Sequence, residues 1–287
     1  MITQLGHIAD EEDDRFLKMW QVQVDPADRI LREHRHINFE IATVIEGEGI
    51  YHTASGIHPM QPGDVFVFSG NEPHCITKIL PGGLRIINLH FNWQFFSRCC
   101  SAGDRYPNMF FAHSKDFCNR IKKEKAAVMR MLLEKIVAEF GGKQEQYESA
   151  VGAYVNLLMV ELVRNQGYYV PGEGAHRAMD KIVHGVRFID RYFCEDITLE
   201  QIAEKSGITP NYFTKLFHEC FHVKLWDYIT AKRIDRAKRM LSAEEEMTIL
   251  DIAVSCGFHN TANFNRAFLK FTGITPSAYK TRRELLH

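Results

Sequence analysis

Paired cysteines are the first feature that this 287-residue sequence lacks. The seven cysteines are odd in number and scattered, and no two of them form a CxxC pair, which argues against a disulfide framework and a zinc ribbon. No apolar run approaches the about 18 residues that a membrane-spanning helix needs. The N-terminal stretch MITQLGHIADEEDDRF is acidic, where a signal peptide would be basic and then apolar. The sequence therefore predicts a cytoplasmic protein that does not enter a membrane.

A strong charge of either sign is also missing, since the formal net charge is -1 at pH 7. The charge is nevertheless unevenly distributed. From residue 176 to the end there are about 17 Lys and Arg against about 14 Asp and Glu, which leaves a small positive excess. DNA binding requires positive charge on one face rather than a large total, so the composition alone does not establish a nucleic-acid partner.

The region from about residue 16 to residue 93 has the composition of short β-strands. Residues 41–45, 65–68 and 85–91 are rich in β-branched and aromatic side chains. The sequences GEG, HPMQPGD and PGG between them have turn chemistry. Many short strands with regular turns favour a β-sandwich or a barrel.

Residues 121–164 follow a helical period instead, in two segments separated by GGK. The second segment, from about Glu148 to Arg164, has an apolar stripe longer than a barrel needs for covering one face, and we predict that this helix dimerises the protein. The alternative is that the stripe packs within its own subunit. Residues 165–176, NQGYYVPGEGAH, have the composition of a linker. The stripe consists of Val151, Tyr154, Val155, Leu158 and Leu162.

After this linker the sequence repeats itself with a period of about 50 residues. ITLEQIAEKSGITPNYFTKLFHECFHVKLWDY aligns with MTILDIAVSCGFHNTANFNRAFLKFTGITPSAY after one inserted residue. Thr198 and Thr248 are predicted N-caps, and Thr198 has Gln201 three residues on, as in a capping box. Gly207 and Gly257 match where a short helix must end and the chain must turn. Each copy thus has the pattern of a helix-turn-helix motif.

The second helix of each motif has one apolar and one polar face. Two interpretations are open: a helical domain with solvated polar faces, or a pair of DNA-binding motifs, which the second copy and the basic joining segment TAKRIDRAKRML favour. We predict that Ile234, Ala237 and Leu241 of the joining segment face inward. The predicted core residues are Phe213, Phe217 and Cys220 in the first motif, and Phe264, Phe268 and Phe271 in the second. The opposite faces carry Asn211, Thr214, Lys215 and His218, and Ala262, Asn263, Asn265 and Arg266.

With these elements the sequence from Ala178 to Arg283 resembles the arabinose-regulator (AraC/XylS) family of transcription factors. The resemblance lies in the Arg233, Ala237, Leu241 spacing, in GFHNTANFNRAFLKFTGITPSAYKTRR, and in Pro276 with Tyr279. It implies that both recognition helices enter successive major-groove turns on one face of DNA. Ala262 departs from a hydrogen-bonding role and offers only apolar contact, for example to a thymine methyl group. The base-contacting candidates that the resemblance implies are Asn211, Thr214, Lys215, Thr261, Ala262, Asn263 and Arg266.

A second constellation lies in the strand-rich region. The run HRHINFEIATVIEG, with GDVFVFSGNEPH further on, is similar to the two motifs of the cupin barrel, although Ser69 and Asn71 depart from the second motif. Three interpretations are open: a metal site, a set of hydrogen-bonding groups for a small effector, or a structural role at the barrel mouth. We expect His34 and His36 to point to one side of a strand. The candidate metal ligands are His34, His36, Glu40 and His74, and the candidate effector-binding residues are these four with Asn88 and His90.

These features predict a multidomain α+β protein. Residues 1–120 are expected to form a cupin-like effector-binding barrel, residues 121–164 a helical dimerisation segment, residues 165–176 a linker, and residues 177–287 the DNA-binding domain with two helix-turn-helix motifs.

The function that follows is transcription regulation, not catalysis. We expect a homodimer that binds promoter DNA, responds to a small polar effector and contacts RNA polymerase. The family resemblance makes a sugar or sugar derivative the expected effector. No cofactor is predicted apart from a divalent metal ion in the barrel. The alternative is a metal-dependent cupin isomerase or oxygenase that carries a DNA-binding tail; such an enzyme needs a metal with an open coordination position.

Overall fold

The computed structural model of this chain describes residues 2–10, 15–26, 33–70, 72–99, 117–166, 168, 173–221, 223–242 and 247–284. The chain divides into two compact units. The N-terminal unit comprises Met1–Arg32 and Asn38–Gly172, and the C-terminal unit comprises Glu33–Ile37 and Glu173–His287. Among the described residues, none of the helices combines the length and apolar character that crossing a membrane requires.

An antiparallel sheet forms the N-terminal unit. Its strands lie in the order β1-β2-β6-β3-β5-β7, and β4 pairs with β3 outside this path. The strands predicted at 41–45, 65–68 and 85–91 are confirmed as parts of β3, β5 and β6. The strands are β1 (Ile2–Asp10), β2 (Arg15–Val24), β3 (Phe39–Thr53), β4 (Gly56–Met60), β5 (Val65–Phe68), β6 (Cys75–Phe91) and β7 (Arg120–Ile121).

Two of the predicted turns are bends inside long strands. GEG lies within β3 and PGG within β6, so the expectation that strands end there is wrong. Gly47 has φ +80° and Gly83 φ +80°, and a Cβ atom added to Gly47 would lie 1.9 Å from the Gly83 carbonyl oxygen. The pairing shifts register near the same place, between Val44 and Glu46. Glycine here permits a bulge, which bends a strand without ending it.

The strand β3 is buried from Phe39 to Val44 without the alternation of a half-exposed strand. Both faces of this stretch are therefore covered, as in strands of a sheet core. Its interior includes Ala42 and Val44, which pack with Phe66 and Phe68 of β5. The polar side chains of Glu40 and Thr43 are buried among them, at 4% and 3% exposure. A buried carboxylate is costly unless it has partners, which makes Glu40 a candidate for function.

The described part of the N-terminal unit has three helices, α1 (Trp93–Cys99), α2 (Ala127–Gly142) and α3 (Tyr147–Asn165). The helices α2 and α3 confirm the two helical segments predicted on either side of GGK. The helix α3 packs against α1 and α2. Packing within the subunit, the alternative interpretation, therefore replaces the dimer contact predicted for the apolar stripe. The stripe residues buried in this way are Val151, Val155, Leu158 and Leu162, each with 0% exposure.

The C-terminal unit is helical apart from its short segment 33–37. The pairs α5–α6 and α8–α9 form the two helix-turn-helix motifs, and α7 joins them. The helix α4 begins inside the predicted linker 165–176, of which residues 167 and 169–172 lie outside the described residues. The helices are α4 (Glu173–Tyr192), α5 (Leu199–Lys205), α6 (Pro210–Phe221), α7 (Leu225–Ser242), α8 (Ile249–Ser255), α9 (Thr261–Thr272) and α10 (Pro276–Glu284).

The predicted apolar faces of these helices form the core of the C-terminal unit. Phe213, Phe217 and Cys220 are buried in the first motif. In the second motif the buried phenylalanines pack with residues of α7 into one cluster. The core positions predicted from the helical period are therefore confirmed. That cluster includes Ile234, Ala237, Leu241, Phe264, Phe268 and Phe271.

Candidate nucleic-acid interface and ligand site

Each helix-turn-helix motif begins with a threonine that caps its first helix. The Thr198 hydroxyl accepts a hydrogen bond from the Gln201 backbone N–H (3.3 Å), and the Gln201 side chain accepts one from the Thr198 backbone N–H (2.8 Å). Thr248 and Asp251 form the same reciprocal arrangement at 3.1 and 3.2 Å. The predicted N-caps are confirmed. The second capping box was not predicted from the sequence, because aspartate replaces the usual Glu or Gln.

The turn of each motif is made by a glycine in the left-handed region, with φ +64° at Gly207 and +83° at Gly257. Only glycine adopts this conformation without strain, and it reverses the chain directly after a short helix. The turn places the second helix across the first. The polar face of α6 in one motif and of α9 in the other is thereby directed outward.

The recognition helix α6 exposes the four polar side chains predicted for it, from Asn211 to His218. The Thr214 hydroxyl donates to the Pro210 carbonyl oxygen at 3.1 Å. The Lys215 ammonium lies 3.8 Å from a Glu219 carboxylate oxygen, one helical turn on, and both side chains are mostly exposed. Lys215 therefore has a weak local partner and a mobile stem, so it is suited to contact a phosphate.

The recognition helix α9 is more tightly organised at its N-terminus. The Asn260 side chain caps it by accepting a hydrogen bond from the Asn263 backbone N–H at 2.8 Å. The Arg266 guanidinium donates to the Asn263 side-chain oxygen at 2.5 Å. Ala262, Asn263 and Arg266 are exposed, and Thr261 is half-buried. Asn263 thus orients Arg266, whose planar fork of donors matches the acceptors of a guanine edge.

Glu40 lies at the centre of a cluster of polar side chains in the N-terminal unit. It lies directly opposite His90 in the antiparallel pairing of β3 with β6. One carboxylate oxygen of Glu40 is 2.8 Å from His90 Nε2 and 3.2 Å from His74 Nε2. Glu40 and His74 are almost completely buried, and His90 is mostly buried. The tertiary fold therefore brings together Glu40 and His74, which are 34 positions apart in sequence.

A backbone carbonyl holds the other ring nitrogen of His74. His74 Nδ1 is 2.8 Å from the Glu72 carbonyl oxygen. Because a carbonyl oxygen only accepts, Nδ1 must carry a hydrogen, while Nε2 faces Glu40. His74 therefore presents Nε2, and Glu40 a carboxylate oxygen, as polar atoms inside the cluster.

Aromatic rings surround the cluster. The Phe68 ring stacks on the His74 ring with centroids 4.2 Å apart, and the Trp20 ring meets the His90 ring edge to face at 4.4 Å. The Tyr51 ring also meets the His74 ring edge to face, with centroids 6.1 Å apart. Burial, and after it the Glu40 and Cys75 charges, raise the pKa of Tyr51 well above 10. Tyr51 therefore stays a neutral phenol over the physiological range.

Glu72 and Asn119 belong to the same network and were not predicted from the sequence. One Glu72 carboxylate oxygen accepts from the Ser69 backbone N–H at 2.8 Å. The other accepts from the Asn119 side-chain amide at 3.0 Å, and that amide also donates to the Val67 carbonyl oxygen at 2.8 Å. The sequence feature that could have identified Glu72 is its position two residues before His74. Asn119 precedes β7 and carried no sequence signal.

The remaining predicted ligand residues lie before β3 and on β6. His34 and His36 precede β3, and their ring centroids are 6.1 Å apart, so the two side chains point to one side as predicted, although the segment 33–37 is not one of the strands. In segment 33–37, which groups with the C-terminal unit, the Arg35 backbone N–H donates to the Phe271 carbonyl oxygen instead of to a sheet. Asn88, two residues before His90 on β6, is half-buried. Asn71 lies outside the described residues.

Glu40, His74 and His90 fit a divalent metal ion in donor type. They offer one carboxylate oxygen and two imidazole nitrogens, the ligands that zinc, iron and nickel accept. The Glu72 carbonyl fixes the other nitrogen of His74, as outer-shell groups do for ligating histidines.

Comparison with known families yields two matches along the chain. An AraC-like ligand binding domain matches residues 23–135, and a helix-turn-helix domain matches residues 202–282. An uncharacterized HTH-type transcriptional regulator of Staphylococcus aureus strain COL is 32% identical over 130 residues, which cover 44% of this chain and 17% of that protein. The regulator YtdP of Bacillus subtilis strain 168 is 34% identical over 104 residues, 36% of this chain and 13% of that protein. The match therefore spans 17% and 13% of the length of these two relatives.

Solved structures with the same fold include ToxT of Vibrio cholerae. ToxT bound to (E)-4-(8-methylnaphthalen-1-yl)but-3-enoic acid superposes with a TM-score of 0.62 and 13% identity, covering 93% of this chain and 99% of that chain. Wild-type ToxT with a bound unsaturated fatty acid superposes with a TM-score of 0.60 and 12% identity, covering 92% and 94%. At this identity the similarity concerns the fold.

Proposed function

We propose that this chain is an AraC-family DNA-binding transcription regulator that contacts promoter DNA through both α6 and α9 under the control of a small polar effector in its N-terminal unit. The observation that carries the proposal is the repeated motif, in which both recognition helices bury phenylalanines and expose polar side chains. The proposed DNA-contacting residues are Asn211, Thr214, Lys215, Thr261, Ala262, Asn263 and Arg266, of which Lys215 is proposed to contact a phosphate.

Selection of DNA from a random library by the full-length protein tests the use of both motifs. We expect the selected DNA to contain two half-sites about one helical turn apart, because each recognition helix occupies one major-groove turn. Asn211→Ala should relax the sequence preference in one half-site and Asn263→Ala in the other. Selection of a single half-site, or a loss of preference in the same half-site for both variants, would contradict the proposal.

The proposed effector is a sugar or another polyhydroxylated molecule. Glu40, His74 and His90 offer hydrogen-bond acceptors and donors close together, and Trp20 and Phe68 offer flat apolar faces. This combination suits hydroxyl groups on an apolar ring. The buried Glu40 carboxylate disfavours the anionic head group of a fatty acid, the class of ligand bound in ToxT. His34, His36 and Asn88 are proposed as further effector contacts.

A thermal-shift screen of the full-length protein against carbohydrates and fatty acids separates these ligand classes. A ligand at about 100 times its Kd stabilises the native state by about 2.7 kcal/mol and raises Tm. We expect carbohydrates to do so and Glu40→Gln with His74→Ala to remove the shift while DNA binding stays. A shift with fatty acids alone would overturn the sugar assignment.

The donor set of Glu40, His74 and His90 favours a second candidate function, that of a metal-dependent enzyme of the cupin type. Elemental analysis of protein purified without chelator, together with an assay for turnover, distinguishes this enzyme from a regulator that only binds its effector. Near-stoichiometric metal that is lost in His74→Ala, together with turnover of the bound ligand, would support catalysis. Metal without turnover would instead make the ion part of the effector site, with His34 and His36 as its further proposed ligands.

The proposed assembly is a homodimer that also contacts RNA polymerase. Because the predicted stripe of α3 is buried, the dimer contact is assigned to the outer faces of α2 and α3, where Val128, Met131 and Leu157 are 46%, 50% and 49% exposed. Met131→Glu with Leu157→Glu should give a folded monomer in sedimentation. A dimer that persists in this variant would place the interface elsewhere.

A further inference from the structure

Arg233 of the joining helix α7 donates hydrogen bonds to three backbone carbonyl oxygens. Its Nε donates to Phe193 (2.6 Å), Nη1 to Gly257 (2.7 Å) and Nη2 to Glu195 (2.9 Å). All three nitrogens of one guanidinium are therefore engaged at short distances. Hydrogen bonds from a charged donor are stronger than neutral ones, and the planar fork fixes their directions.

The three carbonyls belong to both helix-turn-helix motifs. Phe193 and Glu195 lie in the turn between α4 and α5, which leads into the first motif. Gly257 lies in the turn between α8 and α9, inside the second motif. One side chain thus joins the backbone at the start of one motif to the turn of the other. We call this arrangement of Arg233, Phe193, Glu195 and Gly257 the motif–motif contact.

The two backbones also touch directly at this place. A Cβ atom added to Gly257 would lie 2.5 Å from the Cys194 carbonyl oxygen and 3.0 Å from the Arg233 guanidinium carbon. No side chain fits there, so the turn of the second motif rests on the turn that precedes the first. At the exposed edge His259 Nε2 is 3.6 Å from an Asp196 carboxylate oxygen. The motif–motif contact is therefore close-packed and polar.

The helix α7 offers a second means of holding the motifs together. Tyr228 near its start packs on Phe217 of the first motif, and Ile234 belongs to the core cluster of the second. A continuous helix by itself fixes the distance between the two motifs along its axis. Rotation and tilt of one motif about that axis are restrained by contacts beside the helix, and the motif–motif contact is one of these.

We propose that Arg233 is a positioning residue that sets the spacing and angle between α6 and α9, so that the protein accepts its two half-sites at a single separation. This inference rests on the proposed use of both recognition helices. One inserted base pair rotates the second half-site by about 34°, since DNA has about 10.5 base pairs per turn. A rigid pair of motifs cannot follow that rotation, whereas a loosened pair can.

The experiment compares DNA selected by wild-type protein, Arg233→Lys and the control Lys238→Met, all full-length. Lys keeps the charge but cannot reach three carbonyls at once, and Lys238→Met removes a charge from α7 outside the motif–motif contact. We expect wild type and control to select one spacing and to lose about tenfold or more in affinity on a one-base-pair insertion. Arg233→Lys should select several spacings and lose less than about threefold.

The outcomes separate the two proposals. A single spacing and an unchanged insertion penalty in Arg233→Lys would overturn the role of Arg233 while leaving the two-motif proposal standing. A single half-site in wild type would overturn both. If Arg233→Lys loses its helical circular dichroism, Gly257→Ala tests the same contact from the other side, because its Cβ displaces the turn from Cys194. An unaltered spacing preference in folded Gly257→Ala would equally contradict the proposal.

Discussion

The two helix-turn-helix motifs share a scaffold but differ in what they present to DNA. Both begin with a threonine capping box, turn at a glycine with positive φ and bury a row of phenylalanines. The recognition helix of the second motif is also capped by Asn260 and ends at Gly273 in the left-handed region. Near the start of α6, by contrast, the Tyr212 backbone N–H donates to the Thr209 hydroxyl oxygen over a longer distance of 3.4 Å. The hydrogen bonds and turns that build the motif are thus more alike in the two copies than the exposed polar faces of α6 and α9 are.

This difference extends to the charged groups. Arg266 is held by the Asn263 amide, so the second motif presents an oriented guanidinium. Among the described residues, Lys215 pairs with Glu219 at 3.8 Å, so the first motif presents an exposed ammonium with a weak local partner. A pre-oriented fork discriminates between bases, whereas a mobile point charge follows the phosphates. We therefore expect the second motif to contribute more sequence specificity.

The largest expected effect concerns the two turn glycines. Gly257→Ala should lower the free energy of opening of the second motif by about 3 kcal/mol, because a left-handed alanine is strained and its Cβ meets the Cys194 carbonyl. Gly207→Ala should cost the first motif about 1 kcal/mol, because no heavy atom of the described residues lies within 4 Å of the added Cβ. Amide hydrogen exchange in α8 and α5 measures each separately. Equal costs would show that the turn of the second motif is no more constrained than that of the first.

Arg266→Ala should weaken binding to selected DNA by about 2 kcal/mol and relax the preference at one base pair. The reason is the loss of a bidentate donor that Asn263 orients. Arg266→Lys, which keeps the charge, should recover little of the specificity. Gel-shift titration at fixed salt with single-base variants checks both. A uniform loss on all sequences would reassign Arg266 to the phosphates and remove the difference between the motifs.

Removal of the helix caps should affect both motifs alike. Thr198→Ala and Thr248→Ala should each cost about 1 kcal/mol, because each leaves an N-terminal backbone N–H without its acceptor. Thr→Ser at either position should retain most of the stability. Hydrogen exchange again measures the two motifs in the same protein. A large difference between the two losses of stability would show that the two motifs are less alike in stability than in geometry.

Lys215→Ala should have the smallest effect, a loss of up to about fivefold in affinity at 0.15 M salt that is similar for every sequence. The slope of log K against log salt should fall by about one, as expected when one phosphate contact is removed. Titrations at several salt concentrations provide the slope. A sequence-dependent loss with an unchanged slope would give Lys215 a base contact and make the motifs more alike.

Local signals in the sequence predicted much of this protein. The strands β3, β5 and β6, the two helices on either side of GGK and the buried faces of α6 and α9 followed from periodicity and turn chemistry. The bends at Gly47 and Gly83 were mistaken for turns, because a glycine that bends a strand and one that ends it have the same composition. The stripe of α3 was assigned to a dimer because periodicity shows that a face is apolar without showing what covers it.

By itself the sequence determined the caps, turns and apolar faces of the two motifs, since hydrogen bonds and side-chain spacing over three or four residues depend on neighbours in the chain. The tertiary structure alone decided that His90 would meet Glu40 and that Arg233 would join Phe193 to Gly257. These contacts depend on strand register and on the packing of separate helices. Both are set by the whole core, because a shift of one residue would turn each of these side chains away from its partner.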